Sequence, residues 1–223
     1  TGGFDVGIAF DGDADRCLAV DEKGEPVDGD RIMSVCATYL RQKGLLRNDG
    51  FVATVMSNLG FIKYMEKQGV RTERTAVGDR YVYENMKANG HLIGGEQSGH
   101  IIFRKYAHTG DGLITAIMLL SVMIETHLPL SVLAQDVTMY PQVLKNVRVD
   151  DKDATLADPA VRKAVEDCTA RLGEGGRVLL RKSGTEPVLR VMAEAGSDAE
   201  CEKNVDAIIA AMEQSGHLIE VKK

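Results

Sequence analysis

The chain has 223 residues, of which 44% are hydrophobic and 27% charged, and its formal net charge is −6. These proportions suit one or two globular domains with hydrophobic cores. A negative net charge without a basic stripe argues against a nucleic-acid partner. No apolar run approaches the roughly 20 residues needed to span a bilayer, which argues against a membrane partner.

The first predicted element is a buried strand over the apolar run 4–10. The strand ends in Asp11, Asp13 and Asp15, which alternate with small residues and are followed directly by Arg16. Alternate side chains of an extended chain point to one side, so these carboxylates repel each other unless a cation lies between them. Oxygen ligands favour a hard ion, Mg²⁺ before Zn²⁺. We call residues 11–16 the acidic loop and expect a catalytic metal site there.

Three other interpretations of the acidic loop compete with a catalytic metal site. An EF-hand would place Glu22 at its twelfth position, but Arg16 stands at the sixth position, where that loop needs Gly. A polar turn with solvated acids explains Gly12 but not a third Asp followed by Arg. A purely structural ion site stays open.

Strands and helices alternate after the acidic loop, which is typical of a layered α/β domain. Asp28-Gly29-Asp30 supplies an N-cap for the first helix, and Gly44 stands where its C-cap belongs. The pattern predicts strands over 17–21, 51–56 and 70–76, and helices over 61–68 and 81–88.

The pattern changes in the next segment, where two short strands surround a glycine-rich loop (residues 94–100). Thr109 or Asp111 then caps a strongly apolar helix that runs to about Glu125, which we expect to be a core helix, and Pro129 starts another short one. Glycines let the backbone approach a ligand, and the Glu, Gln, Ser and His of this loop are all polar. An ordinary glycine-rich hairpin is the open alternative.

The character changes again after Tyr140-Pro141, where the order of elements becomes β-α-β-β-α-β, a split βαβ arrangement. We expect a separate small α+β domain with strands at 143–149, 177–180, 188–193 and 218–221 and helices at 159–172 and 197–214. Residues 181–187 of this domain, here named the donor loop, combine Arg, Lys, Ser, Gly and Thr between two strands. Such donors favour an oxyanion, although a solvated hairpin tip is the alternative.

Four widely spaced cysteines form neither a CxxC motif nor a cluster with histidine. The sequence therefore predicts neither a zinc site nor a disulfide framework, and the expected location is a reducing cytoplasm. No signal peptide is visible. The sequence opens with Thr-Gly-Gly, enters a strand at once and has no initiator Met, so we expect a fragment whose N-terminal part is missing.

The acidic loop, the glycine-rich loop and the donor loop, in this order, resemble the α-D-phosphohexomutases over essentially the whole chain. Gln97 favours the branch that acts on glucosamine phosphates, because the phosphomannomutase/phosphoglucomutase branch usually carries Met there. The segment 76–80 also resembles a hinge-side loop of the glucosamine branch.

The resemblance implies a layered α/β domain of phosphohexomutase type with a smaller C-terminal α+β domain. Residues 1–27 would end domain II, 28–138 would form domain III and 139–223 would form domain IV. Family enzymes carry a phosphorylated serine in a loop of the type Thr-Ala-Ser-His-Asn-Pro, which does not occur in these 223 residues. The fragment alone is therefore expected to be inactive, with the missing N-terminal domains as its partner.

The resemblance also implies a role for each loop. The full enzyme would interconvert glucosamine 6-phosphate and glucosamine 1-phosphate through a phosphoserine and a bisphosphorylated sugar, feeding UDP-N-acetylglucosamine and cell-wall synthesis. Asp11, Asp13 and Asp15 would hold Mg²⁺, and Arg16 would steady the phosphoryl group. His100 is a candidate general base, with a structural hydrogen-bonding role as the alternative.

The remaining residues that the resemblance assigns would bind the phosphorylated hexosamine substrate. Glu96 and Ser98 would grip its 3- and 4-hydroxyls, and Arg80 would contribute from the hinge-side loop. The phosphate that is not reacting would be held by Arg181, Ser183, Gly184 and Thr185. The alternatives are a phosphomannomutase/phosphoglucomutase, a non-catalytic sugar-phosphate binding module, which would not need the acidic loop, and a Mg²⁺-dependent hydrolase with an Asp nucleophile.

Overall fold

The computed structural model describes residues 3–184 and 186–222. The chain divides into two units, Thr1–Met139 and Tyr140–Lys223, and each has its own hydrophobic core. The predicted α/β domain followed by a smaller α+β domain is confirmed, while the boundary placed at residues 27 and 28 stays a prediction.

The first unit contains two sheets. A three-stranded antiparallel sheet has the order β1-β2-β3, and a four-stranded sheet has the order β5-β4-β6-β7, in which only β7 is antiparallel to its neighbour. The strands are β1 (Val6–Phe10), β2 (Cys17–Asp21), β3 (Pro26–Val27), β4 (Gly50–Thr54), β5 (Arg71–Thr75), β6 (Ile93–Gly95) and β7 (Ile101–Phe103).

Five helices accompany these strands: α1 (Gly29–Gln42), α2 (Leu59–Lys67), α3 (Asp79–Asn89), α4 (Gly112–Thr126) and α5 (Leu130–Ala134). Side-chain caps start α1 and α4, because Asp28 accepts from the Arg31 N–H and Asp111 from the Ile114 N–H. None of the helices in the described part of the chain combines the length and the apolar character needed to cross a membrane.

The central strand β4 shows why the first unit is layered. All five of its residues are buried, as expected for a strand covered on both faces. Phe51 and Ala53 join the main core with α1 and α2, whereas Val52 packs with Val82 and Met86 of α3 on the other face. Helices therefore cover both faces of this sheet.

Two predictions about burial are wrong. In β1, Val6 and Ile8 are partly buried but Gly7, Ala9 and Phe10 are exposed, because no described residue covers the outer face of this strand. The helix α4 buries only one side, and Ile117 is 61% exposed and Ile124 69% exposed on the other. Hydrophobicity in the sequence marks an apolar face but not whether a neighbour covers it.

The second unit is an antiparallel sheet in the order β11-β8-β10-β9 with helices α7 and α8 packed on it. Its elements are β8 (Gln142–Val149), α6 (Lys152–Ala157), α7 (Pro159–Leu172), β9 (Arg177–Lys182), β10 (Leu189–Glu194), α8 (Asp198–Gln214) and β11 (Leu218–Lys222). The predicted β-α-β-β-α-β order is confirmed except that α6 was not expected. Asp151 caps this helix, which is too short for a periodic pattern.

Candidate functional site

The acidic loop brings its three carboxylates to one point. Asp11, Asp13 and Asp15 each offer an oxygen that lies within 4.8 Å of the others. The predicted reason, alternation in an extended chain, is wrong, because the segment turns. Ala14 has φ +58° and its N–H donates to the Asp11 carbonyl oxygen at 3.2 Å. The convergence therefore depends on a left-handed residue in the turn, a conformation that costs energy for Ala.

Arg16 supplies the positive charge of the acidic loop. Its backbone N–H donates to Asp11 Oδ1 at 3.2 Å, and its Nε lies 3.6 Å from Asp11 Oδ2 and 3.8 Å from Asp15 Oδ1. One guanidinium against three carboxylates leaves a surplus of negative charge. Asp15 Oδ1 is buried and has no hydrogen-bond partner among the described residues, which is unfavourable for a polar atom. This all-oxygen donor set fits a hard divalent cation such as Mg²⁺.

The first turn of α4 packs against the backbone of the acidic loop. The Gly112 N–H donates to the Ala14 carbonyl oxygen at 2.9 Å. A Cβ at Gly112 would lie 2.6 Å from the Arg16 carbonyl oxygen, 2.8 Å from the Ala14 carbonyl oxygen and 2.9 Å from the Phe10 ring. Sequence reasoning missed Gly112, although a glycine directly after the cap Asp111 was the available signal, since Gly is a poor helix residue.

The glycine-rich loop is a tight turn between β6 and β7. The Glu96 N–H donates to the His100 carbonyl oxygen and the Gly99 N–H to the Glu96 carbonyl oxygen, both at 3.0 Å. Glu96 Oε1 accepts the Gly78 N–H at 3.1 Å, so this carboxylate is held in place. Ser98 is exposed. The loop thus presents a fixed carboxylate and an accessible hydroxyl.

The glycine-rich loop and the acidic loop lie side by side. The Cys17 N–H, directly after the acidic loop, donates to the Gly99 carbonyl oxygen at 3.1 Å. Gly99 has φ +91°, and a Cβ there would lie 2.3 Å from the Cys17 carbonyl oxygen, so only Gly fits. A cleft of about 230 Å³ is lined by both loops through Asp11, Arg16 and Ser98. The structure therefore brings predicted metal, phosphoryl and sugar ligands together.

A larger cavity, of about 510 Å³, lies between β1 and α4. Most of its lining residues are apolar, and none belongs to the acidic or the glycine-rich loop. Size alone would favour this cavity, but the convergent polar groups favour the smaller cleft as the candidate site.

His100 connects the two loops through its ring. Its Nε2 accepts the Gly110 N–H at 3.0 Å, and its Nδ1 lies 3.1 Å from Asp15 Oδ2. The residue is 6% exposed, and Asp79 Oδ2 is 3.9 Å from Nε2. These contacts support the structural role that the sequence left as the alternative, while the general-base role stays a prediction.

Arg80 lies in the first turn of α3, two residues after Gly78, whose N–H binds Glu96. Its side chain does not point at Glu96, because its Nε donates to Glu84 Oε1 at 2.8 Å. This exposed ion pair raises the pKa of Arg80. Its predicted contact with substrate would need a different side-chain conformation.

The buried thiols near the site are not candidate nucleophiles. Burial raises the pKa of Cys17 to about 11 and that of Cys36 to about 12. Both thiols are therefore protonated at neutral pH, and the thiolate is the reactive form. All four cysteines are buried and unpaired.

The donor loop belongs to the second unit. Arg181 lies near the end of β9, and Ser183 is buried, with its N–H donating to the Val188 carbonyl oxygen at 3.0 Å and its Oγ accepting the Glu186 N–H at 3.2 Å. A Cβ at Gly184 would meet no atom within 4 Å, so the backbone is accessible there. The predicted residue Thr185 lies outside the described residues.

Arg190 stands directly opposite Arg181 in the β9–β10 register. Directly opposed like charges destabilise a strand pair. Glu186 supplies an opposite charge, because its Oε2 lies 3.3 Å from Arg190 Nη2. On its other side Arg190 faces Asn146, whose Oδ1 is buried without a hydrogen-bond partner among the described residues. Two arginines at opposed positions of the β9–β10 hairpin suit an anion.

Comparisons with known proteins identify relatives over most of the chain. Residues 28–140 match the family model of phosphoglucomutase/phosphomannomutase, alpha/beta/alpha domain III, and residues 144–211 match that of the C-terminal domain. A phosphoglucosamine mutase of Oceanobacillus iheyensis is 55% identical over 210 residues, which are 94% of this chain and 47% of the relative. One of Lachnospira eligens is 54% identical over 216 residues, 97% of this chain and 48% of the relative.

The chain thus spans about half the length of the curated relatives it matches. Among solved structures, an Aspergillus fumigatus N-acetylphosphoglucosamine mutase in complex with GlcNAc-6P and magnesium has a TM-score of 0.77 at 23% identity, covering 94% of this chain and 48% of that one. An N-acetylglucosamine-phosphate mutase of the α-D-phosphohexomutase superfamily has a TM-score of 0.78 at 22% identity, covering 92% and 48%. At these identities the structures support the fold alone.

Proposed function

Because this chain belongs to the phosphoglucomutase/phosphomannomutase family, we propose that it is part of a phosphoglucosamine mutase. The full enzyme interconverts glucosamine 6-phosphate and glucosamine 1-phosphate. The observation that carries the proposal is the cleft in which Asp11, Arg16 and Ser98 meet. The relatives that are 50–55% identical support glucosamine over glucose or mannose.

Asp11, Asp13 and Asp15 would hold Mg²⁺, which supplies Lewis-acid stabilisation of phosphoryl oxygens when it is bound. Because Mg²⁺ takes six oxygen ligands, three carboxylates would leave room for water and a phosphoryl oxygen. A non-catalytic binding module would not need this cluster, so the convergence of the three carboxylates favours the enzyme.

Arg16 orients the phosphoryl group in this proposal. Its two ion pairs with Asp11 and Asp15 limit the motion of the guanidinium, and its side chain is half exposed and lines the cleft. A guanidinium matches phosphoryl oxygens in shape and charge. Positioned cations of this kind stabilise charge that spreads over the oxygens during transfer.

Glu96 and Ser98 orient the sugar. The Gly78 N–H occupies one oxygen of Glu96, and the other oxygen can accept a sugar hydroxyl. Ser98 offers a hydroxyl that both donates and accepts. Neighbouring sugar hydroxyls are recognised in the same way whichever end of the substrate carries the reacting phosphate.

In the second unit, Arg181 and Arg190 bind the phosphate that does not react, with the backbone of Gly184 as a further donor. The opposed guanidiniums gain from an anion between them. The phosphoryl donor of the full enzyme would be a serine in a loop type that these 223 residues do not contain. The chain alone is thus expected to bind substrate without turnover, in the cytoplasm, where buried unpaired thiols stay reduced.

Calorimetric titration of sugar phosphates into the 223-residue chain, in the presence of Mg²⁺, tests this proposal. Glucosamine 6-phosphate should bind more tightly than inorganic phosphate and than glucose 6-phosphate. Ser98→Ala removes a hydrogen bond and should weaken the sugar phosphate about three- to tenfold while leaving inorganic phosphate unchanged. The matched control is Ser121→Ala, since Ser121 bonds to the Ile117 carbonyl oxygen on α4.

Two results would contradict the proposal. Sugar phosphates that bind no better than inorganic phosphate would leave the cleft without a role in recognition. Tighter binding of glucose 6-phosphate or mannose 6-phosphate than of glucosamine 6-phosphate would favour the phosphomannomutase/phosphoglucomutase branch instead.

A further inference from the structure

The ring of His100 has two hydrogen-bond partners of fixed character. Gly110 contributes a backbone N–H, which can only donate, to Nε2 at 3.0 Å. Asp15 contributes a carboxylate, which accepts when ionised, to Nδ1 at 3.1 Å. The nitrogen that faces a donor must be the acceptor, and the nitrogen that faces a carboxylate must carry the proton. The contacts therefore make Nδ1 the donor and Nε2 the acceptor.

The surroundings of His100 prevent the ring from moving away from these partners. The residue is 6% exposed. Gly110 lies against the ring, since a Cβ at Gly110 would be 2.5 Å from Cδ2 and from Nε2. Neither ring nitrogen is left to take a proton from a substrate in this arrangement, because Nε2 is occupied by Gly110 and Nδ1 already carries its proton.

We propose that His100 is a positioning residue that orients Asp15 for metal binding, not the general base; this rests on the metal-dependent function proposed above. The Nδ1–H binds Asp15 Oδ2. The other oxygen, Oδ1, is buried without a hydrogen-bond partner among the described residues and lies 3.8 Å from Arg16 Nε, so it is the oxygen left for the cation. Outer partners that orient carboxylate ligands in this way set metal affinity. His100 also ends the glycine-rich loop, so it ties that loop to the metal site.

Two amide substitutions separate the possible roles of His100. The amide nitrogen of Asn occupies the place of Nδ1, so His100→Asn keeps a donor for Asp15. The amide group of Gln reaches the place of Nε2, so His100→Gln keeps an acceptor for Gly110 but loses the donor. Neither amide can act as a base. A general base would therefore be lost in both variants, whereas a donor to Asp15 is lost only in His100→Gln.

The probe is Mn²⁺, which takes the same oxygen ligands as Mg²⁺ and whose free concentration is measured by electron paramagnetic resonance. His100→Gln should bind Mn²⁺ about tenfold or more weakly than wild type, and His100→Asn should stay within about threefold of it. Melting temperatures without metal check that both variants fold. Equal Mn²⁺ affinity in all three proteins, equal loss in both variants, or no binding by wild type would overturn the proposal.

A substitution outside the ring provides a second test. In Gly110→Ala the new methyl group would displace the His100 ring without touching a metal-binding side chain, so Mn²⁺ affinity should fall. Gly175→Ala is the control, because a Cβ there meets no atom within 4 Å. Unchanged Mn²⁺ affinity in Gly110→Ala would also overturn the proposal. These titrations contain no sugar, so equal Mn²⁺ affinities or equal losses in the variants would overturn only the role of His100 and leave the sugar-phosphate titrations unaffected. No Mn²⁺ binding by wild type would count against the metal site of the proposed function as well.

Discussion

Replacing Gly112 by Ala should disturb the acidic loop through its backbone. The new Cβ would lie 2.6 Å from the Arg16 carbonyl oxygen and 2.8 Å from that of Ala14. Backbone oxygens cannot move aside as the end of a flexible side chain can. The acidic loop must therefore shift away from α4, and the hydrogen bond from the Gly112 N–H to Ala14 must lengthen or break.

The magnitude follows from three contributions. Overpacking of a close contact costs about 1–3 kcal/mol, and the loss of the hydrogen bond to Ala14 adds about 0.5–1.5 kcal/mol. Ala recovers up to about 1 kcal/mol over Gly in a helix, and less at the first helical residue. Gly112→Ala should therefore lower the free energy of unfolding of the first unit by about 0.5–4.5 kcal/mol.

Hydrogen exchange measured by mass spectrometry suits this prediction because the chain has two units. Peptides from residues 3–139 should exchange faster in Gly112→Ala, while peptides from 140–222 serve as an internal reference. Gly12→Ala is the matched control within the same loop, because a Cβ at Gly12 meets no atom within 4 Å. If peptides from residues 3–139 exchange at the same rate in Gly112→Ala and in Gly12→Ala, α4 does not support the acidic loop.

Four further outcomes are expected. Ala14→Gly should stabilise the first unit by roughly 0.5–1 kcal/mol in denaturant melting, since relief of the left-handed strain of about 1–2 kcal/mol exceeds the entropic cost of Gly; lower stability would contradict this. Asp13→Ala should abolish Mg²⁺ binding in calorimetry without lowering the melting temperature, because Asp13 is exposed; unchanged affinity would refute the metal site. Arg181→Ala should weaken binding of inorganic phosphate about ten- to hundredfold. Arg181→Lys should recover part of this affinity, and the control Arg148→Ala should leave it unchanged. Equal phosphate affinity in all three variants would mean that the donor loop is only a hairpin tip. The folded pKa of Cys17, about 11, exceeds its unfolded value, so its contribution to stability is present below pH 9 and falls as the pH rises towards 11. Cys17 should therefore resist alkylation at pH 8 until the chain is unfolded. Rapid modification in the folded state would contradict this.

Local signals in the sequence were sufficient for most elements. Asp28 predicted the start of α1, and the five apolar-rich residues of β2 were placed correctly. These features depend on caps and periodicity, which neighbouring residues determine. Burial depends on distant partners, so the exposed outer faces of β1 and α4 could not be predicted.

The three loops were also visible, but the geometry that makes a site of them was not. The acidic loop was predicted to be extended, yet Ala14 is left-handed, and its carbonyl oxygen accepts the Gly112 N–H. The pairing of His100 with Asp15 joins residues far apart in the chain. Neither contact leaves a local pattern, because both depend on how α4 and β7 pack.

Close backbone packing explains why several glycines lie around this site. A Cβ at Gly29 would lie 2.3 Å from the Glu96 carbonyl oxygen, and one at Gly99 would lie 2.3 Å from that of Cys17. Such approaches bring main-chain donors directly onto the loops, as in the bond from the Gly29 N–H to the Gln97 carbonyl oxygen at 3.0 Å. Main-chain bonds fix a loop with fewer rotatable bonds than long side chains do, and less conformational entropy is lost. The carboxylates of the acidic loop are thus placed by backbone contacts, and a single methyl group at Gly112 should perturb them without altering any charge.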